Sequence, residues 1–281
     1  VLRYNGHTAA PPGVASRIDP ANRKYAVARS GYIHPLVGPG GAVLTADWPV
    51  DHPHHRGVYW AWPEVEFGTR RGDLHALQHV FSRPTGRVAL REEPGAAVMR
   101  AENLWWWEDG TAVVRETVVI RVQEAVDGAR AADLALRFEP LVEGVTLARR
   151  ETRLYGGLNV RMATPRGQEI LVQTDPEGST PRRAWSDLSG VYENGGACGL
   201  LILQHRDNPD YPGEWVRYPE LSWCQPTFPA PGSRHALRRG EALRLRYRLW
   251  MHAGRYPGDA RAAAVWDDFH SRPIHEEEHE R

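Results

Sequence analysis

The chain has 281 residues, 41% hydrophobic and 25% charged, and its 35 basic and 35 acidic side chains cancel to a formal net charge of zero. Such a mixture buries a substantial core, and the neutral balance gives no electrostatic reason to expect nucleic acid or an anionic membrane as partner. Lys24 is the only lysine, which argues against Schiff-base chemistry, whereas arginine for planar anion recognition is plentiful. Cys198 and Cys224 are the only cysteines, far from a disulfide framework. No apolar run reaches the roughly 20 residues that span a bilayer, and no basic stretch leads into an apolar core at the N-terminus. A cytoplasmic location is expected.

Period-two alternation dominates the chain. Gly86–Glu92 alternates apolar and charged residues, as a strand with one wet face does. Ala97–Glu108, Asp109-Gly110 and Thr111–Gln123 read as a hairpin, with the Asp-Gly pair suited to a type I′ turn. Further strands are expected over Ala131–Phe138, Val145–Glu151, Leu158–Ala163, Glu169–Thr174, Gly199–Gln204 and Ala242–His252. Asn208–Pro219 and Cys224–Pro231 read as long ordered loops. Asp259 caps one helix over Ala260–His270, which Trp266 and Phe269 pin to the sheet body. The tail 273–281 is expected to fray. Many antiparallel strands without interleaved helices predict one all-β domain over 1–281, a large antiparallel β-sandwich with a C-terminal helix.

The densest chemical cluster runs from Asp47 to Gly57. Three imidazoles (His52, His54, His55) and the Arg56 guanidinium in five residues offer proton transfer near neutral pH together with anion binding. In an extended backbone His52 and His54 share one face, and Asp51 and His55 the other. The His-x-His spacing of His52 and His54 also suits two ligands of a divalent metal, with a third from elsewhere: His75, His205 or His252. Trp62 follows in the same run as a flat face for a sugar ring. Alternation sets Asn159 and Arg161 on one sheet face, where they line a cavity more readily than a core. Asp187 is the neighbouring carboxylate that could orient a base. His205 stands where an apolar strand ends, and Tyr211, Trp215 and Arg217 follow it with stacking faces and a carboxylate partner.

Together Tyr32–Leu36, Asp51–Gly57, Gly156–Met162 and the His205–Arg217 loop resemble a bacterial family carried under the label PmoA-like. The methane oxygenase label does not fit a chain without a transmembrane helix. The resemblance implies a β-sandwich of the galactose-mutarotase type and a setting in sugar utilisation. Gln204 departs from the acidic residue the family leads one to expect before His205.

Three functions follow as expectations. In the first, an enzyme isomerises, cleaves or hydrolyses a sugar or keto sugar; His54 or His55 and His205 act as acid and base, while Arg56 and Arg161 stabilise developing charge. The second is a metal-dependent, cupin-like enzyme built on His52 and His54. The third is a non-catalytic carbohydrate-binding protein, which the histidine density disfavours. No cofactor other than a divalent metal is implied, and the expected partner is a small carbohydrate.

Overall fold

The structure, a computed structural model, describes residues 1–173, 182–193 and 195–271. Alternation does locally what the sequence predicts: every second side chain of a strand points into a common core. A six-stranded antiparallel sheet runs in the order Leu2–Thr8, Arg29–Leu36, Val58–Ala61, Gly157–Arg161, Trp223–Pro226, Trp215–Tyr218. An eight-stranded antiparallel sheet packs on it, ordered Arg166–Val172, Trp185–Tyr192, Gly196–Gln204, Leu243–Ala253, Arg130–Pro140, Ala112–Gln123, Ala96–Trp107, Val80–Glu93. A smaller four-stranded sheet, built on Glu64–Phe67 and Val145–Ala148, adds Val65, Val145 and Leu147 to the same core.

That core is rich in aromatics. Trp62 packs against Trp105 at 5.8 Å and edge-on to Phe138 at 5.3 Å between ring centroids. Each such pair adds about 0.5–1.5 kcal/mol beyond area burial. Residues Ala262, Val265, Trp266 and Phe269 repeat at helical spacing along Asp259–Ser271 and bury one stripe. The stripe lies against Leu201, Leu203, Trp185 and Trp250 of the eight-stranded sheet, forming a second, smaller core on its far side. Arg248, buried beneath the helix, ties it down through Asp133 and Asp268.

The all-β sandwich and the C-terminal helix are as expected. Three details differ. The hairpin turn has positive φ at Gly110 but not at Asp109, so it is not type I′. Gly110 N–H donates to the Trp107 carbonyl and the ladder bulges between Trp105 and Trp106, the pattern of a type I turn with a bulge. Asn208–Pro219 and Cys224–Pro231 are not wholly loop, because Trp215–Tyr218 and Trp223–Pro226 pair as the last two strands of the six-stranded sheet. Residues 273–281, expected to fray, lie outside the described residues. Among the described residues no helix is long and apolar enough to cross a membrane.

Candidate metal centre

In the strand Gly157–Arg161, Leu158 and Val160 point into the sandwich core, so Asn159 and Arg161 occupy the opposite face. Tyr59 pairs directly with Asn159, and Trp223 with Arg161, so all four side chains share that outer face. Two loops cover it. The first carries the histidine run, which is not extended: the His55 N–H donates to the His52 carbonyl at 2.9 Å and closes a turn over Pro53. The turn cancels the two-face alternation and gathers His52, His54 and His55 on one side. Gly57 ends the run at φ +56°, and a Cβ there would meet the Ile33 carbonyl oxygen at 2.1 Å, so only glycine lets the run join the sheet. The second loop carries His75. Asp73 accepts from the Ala76 N–H at 2.7 Å, and Arg29 donates from Nη2 to the His75 carbonyl.

These two loops bring His54, His55 and His75 together, all buried, with one ring nitrogen from each within 4.8 Å of the others. Ring centroids lie 4.6 Å apart for His54–His55 and 5.2 Å for each of these with His75. The Nδ1 atoms of all three lack a hydrogen-bond partner. Burial, reinforced by Arg29, pulls His54 down to about 3. Burial and the neighbouring imidazoles hold His55 and His75 well below the usual histidine range. Three neutral imidazoles with free lone pairs are the donor set that zinc, copper, iron and nickel prefer. An ion with bonds of about 2.0–2.1 Å would have to draw these nitrogens closer together than 4.8 Å. His75 Nε2 lies 3.0 Å from the Tyr59 hydroxyl, and in the tautomer that donates its proton there Nδ1 would be left for an ion, the arrangement outer partners give metal-binding histidines.

The nearby carboxylates are already engaged. Asp51 accepts from Arg161 Nη2 at 3.0 Å, and its other close partner is His52 Nδ1 at 3.1 Å. Asp73 pairs with Arg150 at 2.5 Å. Among the described residues, only these three histidines are brought together as a possible ligand set. Tyr155, 5.0 Å from His75 and 5.3 Å from Trp223 between centroids, forms a wall, and the half-exposed His52 and Asp51 form the rim.

Of the residues nominated from sequence, His54, His55, Asn159 and Arg161 come together here. His52 stacks on His55 at 4.8 Å but holds Asp51 at the rim, and the imidazoles whose ligand atoms come together are His54, His55 and His75, the last being one of the third ligands expected from sequence. Arg56 is fully buried under Trp48, bonded to Asp47 and Tyr32. Trp62 is a core residue whose Nε1 donates to the Phe228 carbonyl. Asp187 is buried in the eight-stranded sheet, 2.7 Å from His252 Nε2. His205 stacks on His270 at 4.1 Å and meets Phe269 at 5.0 Å, against the C-terminal helix. Tyr211 stacks on Trp266, Trp215 donates to the Arg183 carbonyl, and Arg217 is exposed on the edge strand. Gln204 donates from Nε2 to the carbonyls of Arg183 and Gly213, a role no acidic residue fills. Sequence reasoning missed Tyr59, Trp223 and Arg29, whose only signal is strand register, and Tyr155, which precedes the strand Gly157–Arg161. A family model matches residues 14–267. The chain belongs to DUF6807, a family of unknown function. For this DUF6807 protein, comparison with curated proteins and with solved structures found no match.

Proposed function

We propose that the protein is a metal-dependent enzyme in which His54, His55 and His75 hold one late first-row divalent ion, with a small sugar-derived molecule as substrate. The carrying observation is the convergence of three buried, neutral imidazoles with unpartnered Nδ1 atoms. Such an ion supplies Lewis acidity and a water of lowered pKa. The protein's own residues do the rest: Tyr59 bonds His75 Nε2, Tyr155 walls the site, and Arg161 would hold charge on the substrate.

The same burial argues against histidine acid catalysis without a metal. An imidazole whose pKa sits near 3 is not an imidazolium at neutral pH and has no extra proton to give. A purely binding surface has no use for three desolvated histidines. The resemblance to a PmoA-like family with a galactose-mutarotase-type sandwich supports a carbohydrate-derived substrate, and the two free, buried cysteines fit a cytoplasmic setting.

The test is metal analysis of protein purified without chelator, beside His52→Ala, His54→Ala, His55→Ala and His75→Ala. About one metal per chain is expected in the wild type and in His52→Ala, and far less in the other three. A folded wild type that neither carries a metal nor takes up zinc or cobalt stoichiometrically removes the proposal.

A further inference from the structure

The sheet floor of the site carries polar atoms that the tri-histidine set does not use. Arg161, its side chain only 9% exposed, spends Nη2 on Asp51, while Nε and Nη1 are buried without partners. Trp223 Nε1, the Asn159 Oδ1 and both amide atoms of Gln225 are likewise buried and unpartnered. These side chains belong to two neighbouring strands: Arg161 pairs with Trp223, and Asn159 and Gln225 follow two residues along on the same face. The unmatched set is rich in donors, with only Asn159 Oδ1 and Gln225 Oε1 as acceptors. Buried polar groups are retained when something satisfies them, and a donor-rich group calls for a ligand that mainly accepts.

Charge points the same way. Arg29, Arg150 and Arg161 all act on the imidazoles electrostatically. Asp51 and Asp73 oppose them, each already paired with an arginine. Three neutral histidines contribute no charge to balance a dication, so a loaded site is strongly positive at a place of low dielectric.

We infer, resting on the metal reading above, that the substrate is a sugar acid: a polyhydroxylated carboxylate whose anionic group is held by Arg161 and Trp223, with hydroxyls reaching Asn159 and Gln225. A neutral sugar gives the unbonded Arg161 Nε–H and Nη1–H no charged acceptor and leaves the metal charge uncompensated. A carboxylate accepts charge-assisted hydrogen bonds from the first and neutralises part of the second.

The experiment uses the full chain loaded with Co2+, titrated calorimetrically with D-gluconate and with its neutral isostere D-gluconamide, while the cobalt visible spectrum reports on the metal. Gluconate should bind at least about tenfold more tightly than the amide, the scale of one charge-assisted contact. Arg161→Gln should erase that ratio while cobalt stoichiometry stays the same, and Arg161→Lys should restore part of it. Equal affinity for the two probes, or no gluconate binding, overturns the inference while a bound cobalt keeps the metal reading intact. Failure to load cobalt overturns both. Should Arg161→Gln not fold, the wild-type ratio alone decides.

Discussion

Lowering the pH from 7 to 5 should destabilise the metal-free protein by several kcal/mol, because folding buries three histidines in their neutral form. In the unfolded chain each titrates near 6.5. In the native state His54 titrates at about 3, under burial and the Arg29 charge, and His55 and His75 also lie well below the usual range. Below pH 6.5 the unfolded state therefore binds protons that the native state refuses, and stability falls with falling pH. Between pH 6.5 and 5 each histidine costs about 2 kcal/mol, or roughly 6 for the three if none is protonated in the native state. Coupling among them does not alter that limit, since it operates only once a proton has entered the folded cluster. His205, which burial lowers to about 4, adds to the loss, while Asp73 and Glu116, whose carboxyls burial raises, offset part of it. A domain stable by about 5–15 kcal/mol would sit close to unfolding at pH 5. Urea denaturation in chelator, followed by the fluorescence of the 11 tryptophans, measures this at the two pH values. His75→Gln should flatten the pH dependence by about 2 kcal/mol, whatever it does to stability at pH 7. An unchanged wild-type midpoint between pH 7 and 5 would mean that the imidazoles accept protons in the native state, and the neutral donor set would have to be abandoned.

Two further outcomes test the surroundings. Arg248→Met should cost about 3–5 kcal/mol in urea denaturation, since it strips the guanidinium from a buried Asp133 and removes the Nη1 bond to the helix-borne Asp268, and adding Asp133→Leu should recover much of the loss. A single-variant cost under about 1 kcal/mol contradicts that account. His205→Ala should leave the metal content unchanged and cost about 1–2 kcal/mol through lost packing on Phe269 and His270. Loss of metal in that variant would place His205 at the centre after all.

Local chemistry determined a good deal of this protein. The hairpin across Asp109-Gly110, the helix held by Trp266 and Phe269, and the outward pairing of Asn159 with Arg161 all follow from side-chain periods that covalent geometry imposes residue by residue. The histidine run announced itself by density alone. Its geometry did not, because a turn at Pro53 replaced the extended backbone on which the two-face reading depended. Tertiary structure alone decided which imidazoles meet: His75 arrives on a separate loop, fixed by Arg29 and Asp73. It also decided that Trp62 serves the core, that Asp187 finds His252, and that His205 belongs to the helix. Such pairings depend on sheet order and register, which are set by the packing of residues far apart in the chain. A local period says which face a side chain takes, and only the sum of those distant contacts says what stands opposite it.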